Sequence, residues 1–157
     1  KGINQTSTKF FCIFNADGSF DPSELKFMLE KVEKESYNFV FASRYEKNCG
    51  SDDDTIITLI GNYVFTYIGK IFFNTKISDI LYTYVLGDTM SAKQLDLKNK
   101  DFSFCVELPI IAKRKGYKIT TSKSYERSRI AGKKKVNAIR DGLLILAGMI
   151  KLFFKPK

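Results

Sequence analysis

Apolar residues in this chain fall into runs of two kinds, short and unbroken or long and periodic, set apart by polar clusters. Residues 9–14 read Lys-Phe-Phe-Cys-Ile-Phe. That run is too short for a helix and predicts a buried strand. It ends at Asn15-Ala16-Asp17-Gly18, a turn-forming group. Asp21, Pro22 and Glu24 then have the order of an N-cap, an N1 proline and a capping-box acid. Leu25, Met28, Leu29 and Val32 follow at helical spacing. Residues 38–43 predict a second strand, and the polar stretch from Glu46 to Asp54 a mobile loop. Residues 55–74 carry Ile56, Leu59, Ile60, Tyr63, Val64 and Tyr67 at helical spacing, which predicts a helix with one buried face. Short strands are expected over 81–86 and 88–93, a helix over 104–115 and a strand over 117–122. A basic loop over 128–135 and a final helix over 136–155 complete the order. Strands and helices alternate, so the fold class is α/β.

The final helix is apolar on most sides but interrupted by Arg140, Asp141 and Lys151. Its uninterrupted run is too short to span a bilayer, which takes about 20 apolar residues. Lysines before it and at its end fit an amphipathic helix lying on anionic lipid. A core helix packed on the sheet fits the same pattern.

Charge sharpens this picture. The 157 residues carry a net +9, and the distribution is uneven. From Lys113 onward there are 14 basic and 2 acidic residues, whereas residues 1–112 hold 12 basic and 15 acidic. The C-terminal third is therefore a surface that would seek phosphate, nucleic acid or anionic lipid. Histidine is absent, which excludes His-ligated zinc and His-based catalytic triads. The three cysteines are widely spaced and form no CxxC pair, so a disulfide framework is not expected and a reducing cytoplasm fits. The opening residues from Lys1 to Thr6 read as the interior of a longer protein.

The first candidate for chemistry is the segment Asn15 to Pro22, placed where the first strand ends. Ligands bind at that edge of open α/β sheets. Oxygen atoms there suit a hard cation such as Mg²⁺ or Mn²⁺. The same residue types also suit a plain turn and helix cap.

The segment NADGSFDP after an apolar strand resembles the DXD motif of family-2 glycosyltransferases with the GT-A fold, in the form seen in dolichyl- and polyprenyl-phosphate sugar transferases. Phe41-Ala42-Ser43-Arg44-Tyr45 resembles that family's GSRY segment, and Gly61-Asn62 its helical Gly-Asn. Asp79 with Gly87 resembles the acidic segment that follows. Phe102 to Leu108 resembles F-x-x-E-L, and Gly116-Tyr117-Lys118-Ile119 resembles GYKI. The stretch from Arg129 to Asn137 resembles the R-x-x-G-x-S-K-x-N loop, with Lys134 in place of the serine.

The resemblance implies the C-terminal part of a GT-A catalytic domain over 1–135, truncated before its nucleotide half, and an amphipathic, membrane-surface helix over 136–157. It implies inverting transfer of a sugar from a nucleotide-diphosphate sugar, with Mg²⁺ or Mn²⁺, to a saccharide or lipid phosphate at the cytoplasmic face of a membrane. Asp17 and Asn15 would hold the metal. Arg44, Arg129 and Lys135 would bind phosphate, Arg44 being equally suited to a salt bridge. Asp79 and Glu107 are the candidate general bases. Glu107 would otherwise hold the basic loop through Arg127 or Arg129.

Two other readings compete. An impaired transferase fragment would act only as a membrane- or partner-binding module, and Asn15, an uncharged ligand, favours it. A nucleic-acid-binding module would need aromatic residues among the basic ones. Here the aromatics lie in apolar runs, so no nucleic-acid partner is expected.

Overall fold

Strand β1 (Phe10–Ile13) occupies one edge of a four-stranded mixed sheet. The computed structural model of the protein describes residues 2–132 and 137–155. A short helix α1 (Gly2–Gln5), not foreseen, precedes β1. The sheet order is β1, β4 (Val85–Asp88), β2 (Phe39–Ser43), β5 (Ile119–Lys123). Strand β4 runs antiparallel to both neighbours, pairing Phe11 and Phe39 with Gly87. Strands β2 and β5 are parallel, from Phe39↔Ile119 to Ser43↔Lys123. Strands β1, β2 and β5 therefore all point the same way, and the residues that follow them gather at one edge.

Side chains of a strand alternate between the two faces of a sheet. Val40, Ala42 and Leu86 face helix α2 (Leu25–Glu33) and pack with Met28, Val32 and Phe20. Phe39, Phe41, Phe11 and Val85 face the opposite layer. That layer holds α3 (Ile56–Phe73), α5 (Phe104–Arg114) and α6 (Ala138–Phe154). Gly87 is required at the centre of this face. A Cβ there would lie 2.5 Å from a carbon of Phe39 and 2.9 Å from one of Phe11, the two rings that close over it edge to face.

Several expectations meet corrections here. Residues 88–93 do not form a second short strand, since Asp88 ends β4 and the rest is helical. The Asp88 carboxylate accepts from Ser91 N at 2.7 Å and Ser91 Oγ at 2.6 Å, and this cap starts helix α4 (Thr89–Gln94). Residues 81–84 are irregular, because Tyr82 and Tyr84 are buried against Phe20, Tyr84 stacked at 4.7 Å. Glu24 does not complete a capping box. Asp21 caps Ser23 N over a 3-10 turn (Pro22–Glu24), and Glu24 accepts from Ser124 Oγ and Tyr125 N instead. The true capping box is Thr55 with Thr58, at the start of α3.

Helix α6 is capped by Asn137, which accepts from Arg140 N, while Asp141 accepts from Asn137 N. Its inner stripe, Ile145, Met149 and Leu152, belongs to the same core as the sheet. The loop expected over 46–54 contains a two-residue strand β3 (Gly50–Ser51). It pairs in parallel with β6 (Tyr125–Glu126).

Candidate active site

A cavity of about 490 Å³ opens at the sheet edge where β1 and β2 end. The turn after β1, residues 53 and 54, the N-terminal halves of α3 and α6, and the segment after β6 form its walls. Asn15 and Asp17 both line it.

Asp17 Oδ1 accepts from Ser19 N at 3.1 Å and Ser19 Oγ at 2.7 Å. Its Oδ2 lies 3.7 Å from Arg129 Nη1. Desolvation opposes ionisation, but the Ser19 hydrogen bonds and the Arg129 charge outweigh it. The carboxyl sits below the usual aspartate range.

The segment after β6 is laced onto this turn. Arg127 N donates to Ser19 O, and Ile130 N donates to Asp17 O at 2.9 Å. Arg127 also pairs with Asp21. Gly18 has φ +83°, and Ile130 lies directly over its Cα, so this position favours glycine twice over.

The run Asp52-Asp53-Asp54, expected to be a mobile loop, is fixed at every residue, Asp52 and Asp53 by the segment from Tyr125 to Arg129 and Asp54 by Tyr45 and Thr58. Asp52 accepts from Tyr125 OH at 2.7 Å and Ser128 N at 3.2 Å. Asp53 Oδ2 lies 3.3 Å from Arg129 Nη2. Asp54 accepts from Tyr45 OH at 2.6 Å and Thr58 Oγ1 at 3.1 Å. Arg129 thus sits between two carboxylates, and its Nε is buried with no hydrogen-bond partner among the described residues. The signal for this arrangement was present in the sequence as a triple acid and a basic segment of opposite charge.

Arg44 and Asp79, read from the sequence as a phosphate clamp and a general base, meet each other instead. Arg44 is 7% exposed and Asp79 wholly buried. Arg44 Nε donates to Asp79 Oδ2 at 2.7 Å and Nη2 to Asp79 Oδ1 at 3.1 Å, a fork on a carboxylate. Nη1 donates to Glu126 at 2.9 Å and lies 3.5 Å from Asp54. Burial disfavours the charge, but the Asp79 and Glu126 carboxylates more than offset it and hold the guanidinium firmly protonated. Arg44 therefore forms the charged floor of the cavity and braces its walls. Asp79 is enclosed beneath it, with both carboxylate oxygens taken by Arg44.

Glu107 is also elsewhere. It is 3% exposed, and its carboxylate accepts from Lys98 N at 3.0 Å and Asn99 N at 2.9 Å. The link to Arg127 or Arg129 is not made. Cys105 reaches the cavity, but burial pushes its thiol up to about 12, which leaves it inert. Lys135 lies outside the described residues.

Among the described residues, no three His, Cys, Asp or Glu side chains are grouped to hold a metal ion unaided. A divalent cation of the Mg²⁺ type needs only one or two carboxylates when substrate phosphates and waters complete its shell. Asp17 Oδ2 faces a cation already, the Arg129 guanidinium, and Asn15 lines the same wall. The donor set fits such an ion.

The sequence family described as Glycosyl transferase family 2 matches residues 1–96. The chain belongs to that family. No curated protein matches this glycosyl transferase chain. Its fold is similar to that of glucosyl-3-phosphoglycerate synthase from Mycobacterium tuberculosis. The structure of that enzyme with Mn²⁺, uridine diphosphate and phosphoglyceric acid superposes with a TM-score of 0.71 at 10% identity, over 99% of this chain and 52% of that one. The complex with Mn²⁺, UDP-glucose and phosphoglyceric acid gives 0.68 at 9%, over 99% and 54%. The family-2 chain thus spans about half the length of these proteins and shares their fold, which is GT-A.

Proposed function

We propose that this family-2 chain forms the metal-site and acceptor side of a glycosyltransferase. The enzyme would move a sugar with inversion from a nucleotide-diphosphate sugar to a phosphate-bearing acceptor. The observation that carries the reading is Asp17: an ionised carboxylate with one oxygen fixed by Ser19 and the other turned to a cation inside the sheet-edge cavity.

Asp17 and Asn15 would hold Mg²⁺ or Mn²⁺. That ion, when bound, neutralises charge gathering on a leaving diphosphate. Arg129, which lines the cavity, brings a guanidinium to the same rim, and that group suits phosphate oxygens. Arg44 keeps the floor rigid through Asp79 and Glu126. A phosphate oxygen that itself attacks, as in a lipid phosphate, is already ionised and needs no general base, in keeping with the enclosed positions of Asp79 and Glu107, whereas a hydroxyl of phosphoglycerate or glycerol 3-phosphate would need one. The mycobacterial structures hold phosphoglyceric acid or glycerol 3-phosphate as well as UDP-glucose. A lipid phosphate at the cytoplasmic face of an anionic membrane, or a saccharide, is the acceptor that the sequence resemblance implies.

The test is a transfer assay on the protein with Mn²⁺ and a panel of UDP- and GDP-sugars. Phosphoglycerate, glycerol 3-phosphate and a polyprenyl phosphate serve as acceptors. Metal-dependent transfer that Asp17→Asn abolishes supports the reading. Donor turnover unaffected by Asp17→Asn would overturn it.

A further inference from the structure

Helix α3 has an inner face that the fold uses and an outer face that none of the described residues covers. Inside, Asn62 Nδ2 donates to Tyr45 OH at 2.6 Å, and Thr66 Oγ1 accepts from Ile80 N at 3.1 Å. Outside, Ile56, Ile60, Tyr63, Tyr67 and Ile71 are each more than half exposed and follow one another at helical spacing. Helix α6 repeats the spacing with Ile139, Leu143 and Ile150, each more than half exposed, and with Leu146 and Phe153, exposed by 38% and 49%. The two helices run side by side in the same direction. Both begin at the cavity, and their exposed rims meet at Phe72 and Phe153, with ring centroids 5.8 Å apart.

We infer that the outer faces of α3 and α6 form one docking surface for an anionic lipid bilayer. This extends the membrane part of the proposed function from the last helix to α3, and it rests on that part alone, not on sugar transfer. Charge selects the occupant. Helix α3 contains no acidic residue, and the one acid of α6, Asp141, is buried. The exposed charges on these helices and just past their ends are Lys70, Lys76, Arg140, Lys151 and Lys155, all basic, while exposed Asp52, ahead of α3, is engaged by Tyr125 and Ser128. Long basic side chains around an apolar face, with tyrosines on it, suit the headgroup boundary of a bilayer. A second copy of the chain would bring these cations against their like. Helix α3 is long and apolar enough to cross a membrane, but its keyed inner face ties it to the domain. It therefore lies along the surface, presenting about 27 Å of helix at 1.5 Å per residue.

Flotation with vesicles tests this without donor, acceptor or metal. Phosphatidylcholine vesicles are compared with vesicles in which about a third of the lipid is phosphatidylglycerol. The protein is expected to float with the anionic vesicles, less so as salt is raised. Ile60→Glu with Tyr67→Glu on α3, and Leu143→Glu with Ile150→Glu on α6, are each expected to lower the bound fraction at least about tenfold with the circular dichroism unchanged. If a glutamate variant loses its fold, Lys70→Gln with Lys151→Gln decides, and is expected to weaken the anionic preference. A wild-type protein that floats with neither vesicle overturns the inference. So does an α3 variant that binds like wild type, or a wild-type dimer that the α3 variant splits. Transfer to a soluble acceptor by a protein that does not float would sink this inference, and the membrane part of the proposed function with it, and leave the sugar transfer standing.

Discussion

Arg129 rests against Asp17, with Nη1 3.7 Å from Oδ2, where a metal ion would otherwise find its carboxylate. The guanidinium and a divalent cation are competitors for one oxygen. Arg129→Gln removes the competitor. A partly exposed ion pair is worth about 1 kcal/mol or less, so Mn²⁺ binding in the absence of nucleotide is expected to tighten by up to about fivefold. Titration calorimetry or the Mn²⁺ spin-resonance signal reads this directly. Weaker binding would mean that Arg129 supports the ion rather than excluding it.

Asp17→Asn keeps the acceptor oxygen that Ser19 uses but loses the charge. The fold is expected to survive, with unchanged circular dichroism. Mn²⁺-dependent binding of a nucleoside diphosphate is expected to fall at least about 100-fold, since the ion contributes several kcal/mol at such sites. UDP and GDP are the probes. Retained binding would move the metal site away from the turn after β1.

Arg44→Met leaves Asp79, Glu126 and Asp54 facing one another in a buried floor. Removing one partner of a buried ion pair costs about 3–5 kcal/mol. Urea unfolding at neutral pH is expected to show a loss of that size, with Arg44→Lys in between, because an ammonium cannot fork onto Asp79. A variant of wild-type stability that binds phosphate poorly would return Arg44 to the role of a clamp.

Glu107→Gln tests a carboxylate whose partners are the backbone N–H groups of Lys98 and Asn99. The expected loss is stability, about 1–3 kcal/mol, with Mn²⁺ binding intact. Unchanged stability with abolished transfer would instead identify Glu107 as a general base.

Acid should loosen the turn after β1. Hydrogen bonds from Ser23, then the Arg127 charge, hold the Asp21 carboxyl below its usual range, and Asp17 is held low as well. A lowered folded pKa adds stability that is complete above the unfolded value of about 3.9 and disappears as pH falls through the folded one. The melting temperature is expected to drop over that interval, and less steeply in an Asp17→Asn, Asp21→Asn double variant. Parallel melting curves against pH would show that these carboxylates gain nothing on folding.

Much of this was legible in the residues. Strands β1 and β2 and helices α3, α5 and α6 announced themselves, because unbroken or periodic apolar runs leave few other ways to hide from water. The turn bearing Asp17 followed from its place after β1. Asp88 was harder: a carboxylate that caps a helix in one context sits beside a strand in another, and only the position of Ser91 decides. The Arg44–Asp79 pair joins residues 35 positions apart, and no local pattern states which acid a given arginine will find. The acidic run at 52–54 and the segment from Tyr125 to Arg129 meet through the two-residue ladder of β3 and β6, too short to register as periodicity. Exposure hid the use of α3. Its apolar spacing told of a buried face, but so many apolar residues on one helix could not all be inside.

The placing of β4 between β1 and β2 also has a consequence in time. Strand β1 has, among the described residues, a single ladder partner, and that partner arrives some 75 residues later in the chain. Long-range pairings of this kind form slowly. During synthesis at roughly 5–20 residues per second, the turn carrying Asn15 and Asp17 waits several seconds before Val85–Asp88 emerges to fix it beside Arg44. For that interval the apolar run before it lacks its β4 partner, so the edge that carries the candidate site is also a part whose birth needs protection from aggregation.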